Sequence, residues 1–255
     1  MSKVVACFKW VLDEADITVR DDGSVDFSRA RGKINEYDRQ AIQAAVDAAT
    51  EIDAVPVGLT LASGDLKSAT KEALVRGLAE CSAGKIPEGT NVDSRAIAKG
   101  LAEGLRTIDD VKLVICGAGS SDLFARQTAP RIASAMGWPV VTAVSGLKFE
   151  SGRAICQRTL EDSIDEVAVT LPAVISVLPS INQPPLPGMK AVLAAKKKPV
   201  FEYECNEAVS DDGRSSKKIG QQGYVASRKN VMFDGEGANE AAAFLLDAMK
   251  KEGVL

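Results

Sequence analysis

Gly117, Gly119, Ser120, Ser121 and Asp122 stand together in the run VKLVICGAGSSDLFARQTAPRIASAM, residues 111 to 136, and residues of these types at this spacing suit the holding of an anion. Val111, Leu113, Val114, Ile115 and Cys116 read as a short strand buried on both faces, and the two glycines let the backbone turn tightly and come close to a ligand. Ser120, Ser121 and Asp122 offer caps for a following helix whose apolar positions include Ala125, Ala129, Ile132, Ala133 and Met136. The free amides at a helix start favour negative charge, and phosphate is the commonest biological anion, so a nucleotide site is expected here. The alternative is a bare strand-to-helix connection with no ligand.

Better-known nucleotide motifs do not fit. Asp122 follows G-x-G where the dinucleotide fingerprint has its third glycine, and no acidic residue lies about 20 residues further on. No G-x-x-x-x-G-K-[ST] occurs, which excludes a P-loop NTPase. The chain has no histidine, which removes the commonest general base, the Ser-His-Asp and Cys-His devices and the usual zinc and haem ligands. No catalytic residue and no metal ligand is therefore assigned, and a bound cofactor that carries the chemistry fits better. The five cysteines, Cys7, Cys81, Cys116, Cys156 and Cys205, are odd in number, widely spaced and mostly inside apolar runs, which reads as buried free thiols.

The elements around the motif alternate. Lys3 to Lys9 reads as a first strand; Asn35 and Asp38 resemble a capping box ahead of a helix over Arg39 to Thr50. A second strand spans Ala54 to Ala62 and is followed by the turn Ser63-Gly64-Asp65 and a helix to about Arg76. The stretch LAECSAGKI should hold a strand despite its small, weakly β-forming residues. A helix from about Ser94 to Arg106 precedes the central motif, and a strand over Pro139 to Val144 follows it. Such alternation predicts an α/β fold, a doubly wound, mostly parallel, Rossmann-like sheet. After residue 144 the runs LKFE, RAICQRTL, DEVAVT and PAVISVLP read as an antiparallel extension. NQPPLP, residues 182 to 187, can be neither helix nor central strand. KAVLAAKKKP reads as a short helix ending on lysines, 201 to 230 as an extended arm, and about 238 to 250 as a helix whose apolar face must bury against something.

A net charge of -4 gives no reason to expect nucleic acid. The opening MSKVVACFKW lacks signal-peptide features and no stretch approaches membrane-spanning length, so a cytoplasmic protein without membrane insertion is expected.

Taken together, ACFKWVLDEADITV, INEYDRQAIQAAVDA, CGAGSSDLFARQ, QRTLEDSIDEVAVTLPAVISV and INQPPLPGMKAVLAAKKKP form five ordered blocks over nearly the whole chain. In these the chain resembles the beta subunit of the electron-transferring flavoproteins, most closely its Fix-type branch associated with anaerobic acyl-CoA and carnitine metabolism. The resemblance implies an electron carrier rather than a stand-alone enzyme. It also implies a heterodimer with a larger alpha subunit, whose own FAD-carrying domain sits on the shared platform. Ordinary members hold AMP in the beta subunit and electron-bifurcating members a second FAD. Carried over residue by residue, the nucleotide contacts fall on Cys7, on Asn35, Glu36, Tyr37 and Asp38, on Ala62, and on Gly117, Ala118, Gly119, Ser120, Ser121, Asp122, Leu123, Phe124, Ala125, Arg126, Gln127 and Thr128. Leu123 and Phe124 replace acidic or small polar residues common in the family, which leaves AMP against FAD open.

The resemblance further implies a recognition loop, about 182 to 198, that inserts an apolar anchor into a partner acyl-CoA dehydrogenase. Aligned without gaps, the anchor is Met189; packing of Met189 into the chain's own core is the alternative. The lysines 196 to 198 read more readily as a solvated face than as a docking patch. The expected organisation is a nucleotide-binding α/β part over 1 to 200, including the loop, and an arm plus helix over 201 to 255 packing on the alpha subunit. An adenylating enzyme and a nucleotide-sensing module without a redox role remain as alternatives, but both leave residues 182 to 250 unexplained.

Overall fold

The computed structural model describes residues 1–87, 89–90, 92–206, 219–225, 229–235 and 237–255. They form two units, Met1–Thr18 with Asp26–Gln221, and Val19–Val25 with Gln222–Leu255.

Strand β1 (Lys3–Cys7) leads through the short strands β2 (Trp10–Leu12), β3 (Thr18–Val19), β4 (Val25–Asp26) and β5 (Gly32–Ile34) to helix α1 (Glu36–Glu51). Then follow β6 (Val55–Ala62), α2 (Leu66–Val75), β7 (Glu80–Lys85), α3 (Ser94–Arg106), β8 (Val111–Gly117) and α4 (Thr128–Met136). The chain continues through β9 (Val140–Glu150), β10 (Arg153–Thr159), β11 (Ile164–Thr170), β12 (Ala173–Val177), α5 (Met189–Ala195) and β13 (Val200–Tyr203). One nine-stranded sheet has the order β11-β10-β9-β12-β8-β1-β6-β7-β13. The strands from β9 to β13 in that order run parallel, and β10 and β11 make an antiparallel hairpin at one edge. This is the expected α/β, Rossmann-like architecture.

The period of two along a strand sends alternate residues to opposite cores. Val4 and Ala6 join Leu113 and Ile115 against α1 and α2, whereas Val5 and Cys7 join Val114 and Cys116 against α3 and α4. The buried side of α1 is Ala41, Ile42, Ala44, Ala45, Ala48 and Ala49, and small side chains let its backbone lie close to the sheet. Strand order reverses beside β1, with β6 on one side and β8 on the other, so a crevice opens at the carboxyl ends of β1 and β8.

Three expectations need correction. The PAVISV run was expected in the antiparallel extension, but β12 lies parallel between β8 and β9. All five of its residues are buried, and it lacks the polar alternation of a half-exposed edge strand. The helix after the glycine motif starts at Thr128, so Ser120, Ser121 and Asp122 do not cap it and Ala125 is outside it. Pro130 explains the late start: its ring excludes helical hydrogen bonding back to residue 126, but is tolerated in a first turn, where amides have no intrahelical partner. The Asn35/Asp38 capping box does not form, because Asn35 makes no cap bond and both side chains are used across the crevice.

Residues 207–218 and 226–228 of the expected arm lie outside the described residues; its start, β13, joins the sheet beside β7. In the smaller unit the Gly223 amide donates to the Gly23 carbonyl (2.8 Å). The helix there, α6 (Ala238–Lys251), has no buried residue, and Phe244, Leu245 and Leu246 are exposed.

Candidate functional site

Asn35 organises the crevice. It is fully buried, its amide nitrogen donates to the Gly119 carbonyl (2.9 Å), and its oxygen accepts from the Ser121 amide (3.1 Å). One side chain thus ties the start of α1 to the glycine loop after β8. Asp38, one helical turn on, accepts from the Lys9 amide (2.8 Å) and so binds the end of β1 to the same junction. Gly117 is required there: a Cβ would strike the Asp38 carboxylate and lie 2.8 Å from the Tyr37 Cβ. At Gly119 a Cβ would meet the Phe124 ring at 2.5 Å.

The loop from Ala118 to Gln127 forms the outer wall. Phe124 packs against Tyr37 with ring centroids 5.8 Å apart, and the Arg126 guanidinium lies 5.7 Å from the Phe124 centroid. Phe124 and Arg126 both have left-handed backbone (φ 48° and 55°), a costly conformation for side chains of this kind. The Asp122 carboxylate forms an ion pair with Lys9 across the crevice. Partial burial opposes ionisation of Asp122, but the hydrogen bonds from Lys9 and Ser120 hold its carboxyl below the usual range. At the far end, Gln127 accepts from Ser94 (2.6 Å) and Arg131 (3.0 Å), which fixes the loop to α3 and to its own helix.

The residues singled out from the sequence therefore collect at one edge. Asn35, Tyr37 and Asp38 are in direct contact with Gly117, Gly119, Ser121 and Phe124; Cys7 ends β1 and Ala62 ends β6 at the same side of the sheet. Ser121 to Gln127 are exposed, and Gln127 turns toward α3. Lys9 was missed, although its position just beyond the first strand could have marked it as the cation of this edge. The neighbouring Cys7 thiol and burial push the Cys116 thiol well above its ordinary value, so Cys116 is an unreactive part of the crevice floor. All five cysteines are free and buried.

Burial pushes the Asp38 carboxyl up to about 7, against the opposing hydrogen bonds of Asn35, Lys9 and Gly117. Between its ordinary value of 3.8 and about 7 the folded chain then holds a proton that the unfolded chain has released. Stability from this group is highest at low pH and falls as pH rises through that window, by at most about 1.4 kcal/mol per pH unit. Urea midpoints at pH 5 and pH 7.5 should show the drop in the parent and a smaller one in Asp38→Asn; equal slopes would remove Asp38 as the cause.

On the segment from Asn182 to Lys198, Met189 is 75% exposed, so it is not a core residue of this chain. Leu186 (95%) and Leu193 (56%) are exposed on the same segment, and sequence reasoning had singled out only Met189. No described helix is long and apolar enough to cross a membrane.

A doubly wound sheet with a clamped glycine loop at its strand reversal is the build of a Rossmann-like ligand-binding domain. The family model for the electron transfer flavoprotein domain matches residues 22–208, and the chain belongs to that family.

Proposed function

We propose that this chain is the beta-type subunit of a heterodimeric electron-transferring flavoprotein of the Fix-type branch. In that reading it carries electrons between acyl-CoA dehydrogenase-type partners and other redox carriers. The observation that carries the reading is the Asn35 clamp, which shapes a crevice from the same residues that the family resemblance assigns to an adenine nucleotide. Gly117 and Gly119 let Asp38, Tyr37 and Phe124 close on the loop backbone, Ser120, Ser121 and Thr128 supply hydroxyl donors, Lys9 a cation, and Asp122 an acceptor for sugar hydroxyls; this donor set fits an adenosine with its phosphate. FAD is the favoured occupant and AMP the alternative. A bound flavin supplies the redox chemistry, and the polypeptide binds and orients it.

Asp122→Ala should weaken retention of the nucleotide by about 1–3 kcal/mol, because it leaves its polar neighbours unpaired. Equilibrium dialysis of the purified complex checks this, and undiminished retention would reduce Asp122 to a partner of Lys9.

Assembly gives the wider test. Phe244, Leu245 and Leu246 on α6 are exposed apolar side chains, a liability for a free chain. Apart from β13 and Cys205, which pack within this chain, we assign residues 201 to 255 to packing on the alpha subunit. Expressed alone, the chain should self-associate or precipitate and hold little flavin, and coexpression with the alpha subunit should restore a soluble heterodimer. A well-behaved monomer with stoichiometric FAD and no affinity for an alpha subunit would contradict the reading.

A further inference from the structure

The three consecutive lysines after α5 are not equivalent. Lys196 and Lys197 are exposed, whereas the Lys198 ammonium turns inward and donates to the carbonyls of Leu74 (2.9 Å) and Leu78 (2.6 Å). Leu74 lies in the last turn of α2, where the backbone carbonyls carry partial negative charge and attract a cation. An ammonium is costly to withdraw from water unless such acceptors meet it, so this contact is directional and not a by-product of packing.

The helix it follows is short and packs against α2. α5 is seven residues long with Ala195 its only buried member, and a helix so short is marginal by itself. At the other end of the segment, the Asn182 amide donates to the Gln40 carbonyl of α1 (3.1 Å). Leu186, Met189 and Leu193 are therefore displayed on a span mounted at one end on α1 and at the other on α2. Just beyond it, the Pro199 carbonyl accepts from the Cys81 amide (3.1 Å) where β13 joins the sheet.

We propose that Lys198 is a positioning residue for docking: its bonds to the end of α2 fix the orientation in which α5 and the preceding loop present their apolar side chains to the electron-exchanging partner. The proposal rests on the docking role given to residues 182 to 198. It divides the lysine run into one internal anchor and two surface charges.

The test uses the intact heterodimer carrying Lys198→Met, which keeps the apolar stem and removes the donors, with Lys196→Met and Lys197→Met as controls. Amide exchange over residues 189 to 198 should accelerate by about tenfold or more in Lys198→Met only, as expected for loss of charge-assisted hydrogen bonds. With the cognate acyl-CoA dehydrogenase as electron donor, the KM for this protein should rise by about tenfold while kcat at saturation, nucleotide content and melting temperature stay near the parent's. Unchanged exchange and unchanged KM would overturn the proposal, and so would a Lys198→Met protein that melts early and loses its nucleotide, which would make Lys198 a general clamp of the fold. A folded variant whose kcat falls with KM constant also overturns it. If Met189→Ala leaves KM unchanged in the parent background, the docking reading itself fails, and the exchange data alone then decide whether Lys198 anchors the segment.

Discussion

Asn35→Ala should empty the crevice and destabilise the chain together. The change leaves the half-buried Gly119 carbonyl and Ser121 amide without the partners that one side chain supplies. Unpaired groups of this kind cost about 1–3 kcal/mol each when fully buried, and water reaches this loop, so a loss of about 1–3 kcal/mol in total is expected. Freed from α1, the loop carrying Ser120 to Gln127 no longer holds one shape, and nucleotide retention should drop by more than in Asp122→Ala. Denaturant midpoints and the nucleotide carried through gel filtration measure the two effects. Asn35→Asp serves as the second variant: it keeps the acceptor for Ser121 but faces the Gly119 carbonyl with negative charge, so it should lie between parent and Asn35→Ala in stability. Full retention with a normal midpoint in both would show that the loop needs no clamp.

Met189→Ala should weaken docking without touching the fold. Met189 is exposed on a segment stiffened by Pro184, Pro185 and Pro187, so its ordering cost on docking is small. Burial of such a side chain in a partner pocket is worth about 1.5–3 kcal/mol, roughly a tenfold to hundredfold change in affinity. Electron exchange with the acyl-CoA dehydrogenase should slow at sub-saturating concentration while cofactor content and melting temperature hold. Leu186→Ala and Leu193→Ala map the patch around it; an unchanged concentration series in all three variants would rule out this segment as the docking element.

The parallel alternation and the glycine loop were legible because each rests on local signals, apolar runs and turn residues in sequence order. β7 is an instructive case. Cys81, Ser82, Ala83 and Gly84 have little intrinsic strand preference, yet a Cβ on Gly84 would lie 2.5 Å from the Tyr203 ring, as would one on Gly104 of α3. Gly84 and Gly104 admit a tyrosine from β13, far along the chain from both, and no local pattern announces it. The same limit applies to Asn35 and Asp38, whose spacing reads as a capping box although their partners come from residues 9 and 117 to 121. Pro130 was a local signal for the late start of α4, outweighed by the cap-like run Ser120-Ser121-Asp122. Lys198 shows the converse: in a run of three lysines its identity says solvent, and only the carbonyls at the end of α2 distinguish it.

The most direct test of the account is a cofactor count on the native heterodimer. Acid extraction followed by chromatography and absorbance should release a second adenine-containing cofactor beside the FAD proposed for the alpha subunit, with FAD the occupant expected in this chain's crevice. The Asn35→Ala complex should lose that second equivalent and keep the first. Release of a single FAD equivalent from the parent, with no AMP and no change in Asn35→Ala, would contradict the assignment of this crevice to a nucleotide.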